Sequence, residues 1–111
     1  MKDSLERRIV EAVERFEREQ MSLRPTSIVS DLHENALFVI LEGISPPAEM
    51  ACAGQGEDQE LLEQYHARLF AAGRQALETE IRDLLGREIA HSSFKVDPVA
   101  GTGVMQFTLG R

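Results

Sequence analysis

Leu5, Ile9, Ala12, Val13 and Phe16 recur at spacings of four and three, which puts them on one face of a helix over residues 4–20. Asp3 and Glu6 have the spacing of an N-terminal capping box, and Glu11 and Arg15 stand four apart on the opposite, charged face. Pro25 cannot continue the helix and biases Arg24 towards extended backbone. Beyond it the period changes. Residues 27–32 are β-prone, His33, Glu34 and Asn35 form a turn cluster, and 36–43 is almost continuously apolar. That second run predicts a strand buried on both faces, or buried on one face with a partner on the other. Pro46 and Pro47 end it, and 48–53 has room for a short helix after Pro47.

The longest helical pattern spans 59–85, with Leu62, Tyr65, Leu69, Ala76, Leu77, Ile81 and Leu84 as its stripe, Asp58 as its cap and Gly86 as its stop. Strands over 87–97 and 103–109 close the chain. The order α-β-β-(short α)-α-β-β predicts an α+β two-layer sandwich, a mostly antiparallel four-stranded sheet covered by helices. A helix over 59–85 is about 40 Å long, whereas a compact globule of this length is only about 34 Å across. Either the helix bends, with Gly73 the place, or it overhangs and packs on a partner subunit. The second alternative is the expectation of a homodimer.

Composition narrows the function. The 111 residues make one domain, 1–111. Twelve Lys plus Arg against nineteen Asp plus Glu leave a net charge of −7, the wrong sign for a nucleic-acid partner. Cys52 is alone, so there is no internal disulfide. No apolar run approaches the roughly 20 residues of a membrane span, and the charged N-terminus has no apolar stretch behind it, as a signal peptide would. A soluble cytoplasmic protein, not itself inserted in a membrane, is expected.

Catalytic chemistry is hard to find. His33, His66 and His91 are scattered, so neither a metal nor a cofactor is expected. The carboxylate pairs Glu17 with Glu19 and Glu78 with Glu80 read as solvated helix faces, with Glu78 placed to pair with Arg82. Tyr65 and Phe70 read as core, and Ser92 and Ser93 as polar strand positions. Arg24-Pro25, a proline-fixed turn that can aim a cation at an anion, and the loop 41–57, shaped by Pro46 and Pro47, are the places where binding would concentrate.

At Leu41-Glu42-Gly43-Ile44-Ser45-Pro46-Pro47-Ala48-Glu49 the chain resembles the LEG-x-L-T-x-x-E motif of the MpsC-like family, named as the C component of a Na+-translocating membrane-potential-generating system. Arg24-Pro25 is similar to the family's Gly-[Lys/Arg]-Gly-Pro turn, Arg68-Leu69-Phe70 to its R-x-x-L/F stretch and Leu85-Gly86-Arg87-Glu88-Ile89 to its helix-ending step. Asp97, Gly101 and the closing Val104-Met105-Gln106-Phe107-Thr108-Leu109 resemble its last motif. Ser22 or Leu23 stands where the family has turn glycines, and Pro46 where it has threonine. The resemblance implies a small accessory protein tied to ion transport or inorganic-carbon uptake, with a possible membrane complex as partner, and brings no catalytic residues. The expected ligand- or partner-binding residues are Arg24, Pro25, Glu42, Gly43, Pro46, Pro47 and Glu49. The alternative is a small-molecule-binding protein or small enzyme with a site near Arg24, Glu42 and Cys52.

Overall fold

The computed structural model describes residues 2–21, 23–44, 57–97 and 99–110. The short helix expected over 48–53 lies outside them, as do Pro46, Pro47, Glu49 and Cys52. Six elements follow one another: α1 (Lys2–Gln20), β1 (Ser27–Leu32), β2 (Ala36–Glu42), α2 (Glu57–Leu85), β3 (Ile89–Asp97) and β4 (Thr102–Leu109). The strands form one antiparallel sheet in the order β1-β2-β4-β3. Both helices pack on the same face, α1 over β1 and α2 over β3, so the α+β two-layer arrangement is as expected.

The division between the faces is written in the strands as a period of two. Leu37, Val39 and Leu41 of β2 and Met105, Phe107 and Leu109 of β4 are buried beneath the helices. They meet Ile9, Val13 and Phe16 of α1 and Phe70, Leu77 and Ile81 of α2 in one continuous core. The intervening positions of β2 and β4, among them Ile40 and Val104, face away and stay exposed. The apolar run of β2 is therefore buried on one face and bare on the other.

The turns are made by the residues that the pattern singled out. Gly86 ends α2 with φ +66°, and its N–H donates to the Arg82 carbonyl. Between β3 and β4 the Asp97 carboxylate accepts the N–H groups of Val99 and Ala100, and Gly101 closes the turn at φ +71°. At the opposite end of the sheet, Arg87 donates to the carbonyls of Gly110 and Glu34, tying the α2–β3 turn to the β1–β2 turn and to the end of β4.

Several expectations need correction. α1 begins at Lys2 and α2 at Glu57, so Asp3 and Asp58 lie inside their helices rather than capping them. Asp3 still opposes the positive end of α1. α2 runs unbroken through Gly73, where the Phe16 ring comes so close that a Cβ would lie 2.8 Å from it. Here glycine permits a close helix approach rather than a break. Arg15 reaches across to Glu80 on α2 (2.7 Å) instead of along its own helix to Glu11. Ser92 is buried and donates its hydroxyl to Glu78, fastening β3 to α2. Tyr65 is 53% exposed and outside the core. α1 has 19 residues and α2 has 29, so the first half of α2 runs past the end of α1 and loses that cover.

Phe107→Ala, on the helix-facing side of β4, is expected to cost about 3–5 kcal/mol in urea unfolding. Val104→Thr, three positions earlier on the bare side, is expected to stay within about 0.5 kcal/mol of wild type.

Candidate functional site

One end of the molecule carries every expected binding residue that is described. α1 terminates there: the Glu17 carbonyl accepts both the Met21 and the Leu23 N–H, at 3.2 and 2.9 Å, and Met21 and Leu23 turn into the core. The chain then leaves the core through Arg24 and Pro25 and enters β1. The Thr26 N–H and hydroxyl both donate to the Glu42 carbonyl, at 2.9 and 3.3 Å. Gly43 follows at φ +66°, and a Cβ there would stand 2.4 Å from the Thr26 hydroxyl oxygen. Both the backbone conformation and the crowding require glycine. Ile44 is buried, with its N–H donating to the Gly101 carbonyl at 3.0 Å. Thr26, Glu42 and Gly43 are thus held against one another, and Ile44 ties them to the β3–β4 turn.

The charged side chains of this end point to different surfaces. Arg24 is exposed and lines a cleft of about 360 Å³ with Glu14, Arg18, Leu23 and Pro25, on the α1 side. Arg18 pairs with Glu14 at 3.6 Å, whereas Arg24 makes no ion pair among the described residues. With Arg18 also 4.0 Å from Glu19, the basic character of this notch is that of Arg24, on a chain of net charge −7. Glu42 alternates with buried Leu41 and so belongs to the bare face of the sheet. Arg24 and Glu42 therefore share an end of the sheet but not a pocket. His33 lies at the other end, its Nε2–H donating to the Asp31 carboxylate at 2.9 Å. A second cleft of about 350 Å³ opens between the first turns of α2 and the β3–β4 hairpin, with Gln59, Glu63, Lys95 and Asp97 among its walls. Among the described residues, no three His, Cys, Asp or Glu side chains gather as metal ligands would.

The residue that pattern reading missed is Glu17. It is fully buried, and neither carboxylate oxygen has a hydrogen-bond partner among the described residues. Burial pushes its carboxyl up from 4.5 to about 7. The signal was present in the spacing: Glu17 stands four residues after Val13 and one after Phe16, on the stripe itself. Its polarity assigned it to solvent, but its position assigned it to the core. His66, on α2, is buried as well.

The family described as the Na+-translocating membrane potential-generating system (MpsC) matches this chain over residues 1–111. The chain belongs to the MpsC family. The uncharacterized protein YbcI of Bacillus subtilis (strain 168) is 28% identical over 110 residues, covering 97% of this chain and 87% of that protein. No solved structure matches. Several positions that carry the MpsC resemblance have structural work in this chain: Gly43, Gly86 and Gly101 hold left-handed turns, and Asp97 caps a hairpin. Arg24 and Glu42 carry charge outward from the same framework and are exposed, as are Arg68 and Glu88 of the other motifs. No helix among the described residues is long and apolar enough to cross a membrane.

Glu17 generates a pH dependence with a definite sign. The folded chain keeps the proton up to about pH 7, while the unfolded chain releases it near 4.5. The folded state binds more protons between those values, so stability falls as pH rises through that window and is level above it. The loss attributable to Glu17 is about 3 kcal/mol. Urea unfolding at pH 4.5 and pH 8 is expected to differ by that amount more in wild type than in Glu17→Gln. Equal differences in the two proteins contradict the assignment.

Proposed function

We propose that this protein is a non-catalytic accessory subunit that docks, from the cytoplasmic side, onto the membrane-embedded part of an ion-transporting system. The observation that carries this reading is the match of the whole chain to a family described by a Na+-translocating, membrane potential-generating system. The described helices offer no membrane span, so contact with such a system would run through a surface. The part proposed to dock is the sheet end with Arg24, Pro25, Glu42 and Gly43, together with Pro46, Pro47 and Glu49, which follow in the sequence. The backbone of Thr26, Glu42 and Ile44, on either side of Gly43, is pinned by hydrogen bonds, so it is preorganised and loses little freedom on binding. The basic notch at Arg24 suits a carboxylate of the partner, because a charge-assisted hydrogen bond to guanidinium is short and directional. A homodimer is retained as part of the proposal, without the α2 overhang as its interface.

The test is co-purification of the tagged protein from detergent-solubilised membranes, followed by native mass spectrometry and identification of what is retained. The expected result is a multi-span ion-transport protein in the complex. Arg24→Glu is expected to reduce its recovery about tenfold, the scale of one lost charge-assisted contact replaced by repulsion. Recovery of the chain without any membrane protein, or with a defined small molecule instead, contradicts the proposal and favours a ligand-binding protein.

A further inference from the structure

The bare face of the sheet has an ordered chemistry that the fold does not use and that the docking end touches only at Glu42. The strand registers align Val29, Ile40, Val104 and Lys95 in one straight row across all four strands. Val29 is 54% exposed, and Ile40 and Val104 are each 39% exposed. The row on one side runs Asp31, Phe38, Gln106, Ser93, and the row on the other runs Ser27, Glu42, Thr102, Asp97. The face is thus an apolar row ending in the Lys95 cation at one edge, with Asp31 on the other edge strand one row away and Glu42 and Asp97 in the row on the opposite side. Asp31 is held in place by His33 at 2.9 Å, and Lys95 makes no ion pair among the described residues.

We propose that this face pairs with the same face of a second copy of the chain, about a twofold axis parallel to the strands. The charges select both the occupant and the axis. An axis parallel to the strands reverses the strand order and keeps the rows, so Ile40 stacks over the partner's Val104. Lys95 then meets the partner's Val29 with the partner's Asp31 beside it, and the contact occurs twice by symmetry. An axis across the strands through the same apolar row stacks each strand on itself. That arrangement sets the two Lys95 ammonium groups together and buries Phe38 against the partner's Glu42. The usual offset of roughly 30° between aligned sheets keeps the first arrangement's contacts. Four strands spaced about 4.8 Å apart and some seven residues long give a face of roughly 19 by 23 Å. Two such faces bury on the order of 1,000 Å², the lower bound for a specific interface. A dimer in exchange at micromolar concentrations follows. This interface goes beyond the docking role and stands or falls without it.

Sedimentation equilibrium across a concentration series, with circular dichroism to verify the fold, tests the interface. Wild type is expected to be a monomer–dimer mixture. Ile40→Asp, which leaves the helix-facing core intact, is expected to weaken association at least tenfold. Lys95→Glu and Asp31→Lys are each expected to weaken it about tenfold, and the double variant to recover it to within about threefold. Within one chain these two residues lie on opposite edge strands, about 14 Å apart, so recovery can arise only between chains. A wild type that stays monomeric throughout overturns the proposal. So does a dimer indifferent to Ile40→Asp, a double variant that fails to recover, or a dimer abolished by Leu61→Glu on the overhanging part of α2.

Discussion

The structure depends on burying one face of a four-stranded antiparallel sheet beneath two antiparallel helices. Leu37, Val39, Leu41, Met105, Phe107 and Leu109 supply that face, and none of them is more than marginally exposed. Everything else is arranged to keep the cover in place. Gly73 lets α1 approach α2, Arg15 and Glu80 join the two helices at their solvent edge, and Ser92 fastens α2 to the outer strand. Apolar burial is non-directional, so these contacts set the register of helix on sheet rather than supply the bulk of the stability. Covering one face leaves the other to water. With Val29, Ile40 and Val104 on it, that face is the largest apolar feature of the sheet left uncovered, and its row of side chains has no role in the fold.

Much of this was legible in the sequence because local periodicity and local turn chemistry agree. Four strands and two long helices follow from where the spacing is two and where it is three or four. The glycines that end elements are found at left-handed conformations. What periodicity does not carry is how far a neighbouring element extends. Tyr65 lies on the stripe of α2, but α1 stops short of it, so the ring is left in solvent. Glu17 is the converse case: a polar residue at a core position, where the stripe predicts burial and the side chain predicts exposure. Ser92 was misplaced for the same reason, because a single hydroxyl on a strand does not announce a carboxylate on the helix above it.

The candidate site was legible only in part. Arg24-Pro25 and Glu42-Gly43 stand out in sequence as turn signals, and the structure brings their backbones together through Thr26. That Arg24 opens onto the α1 side and Glu42 onto the bare face needs the strand register, which no single segment contains. The same register turns four unrelated-looking residues on four strands into one row. On the two proposals the molecule divides its surfaces: helices and inner sheet face for the fold, the α1–β1 and β2 ends for a charged contact, and the outer sheet face for a second copy.

Small-angle X-ray scattering over a concentration series tests that division most directly. One chain measures 42 × 23 × 23 Å with a radius of gyration of 14.0 Å. Stacking two copies through the sheet doubles a short axis and leaves the long one unchanged, so the radius of gyration should grow by about a quarter at saturation. Association through the overhanging tip of α2 lengthens the particle and raises it by about three-quarters. The first result is the one predicted here. The second, or a radius that does not change with concentration, contradicts the account.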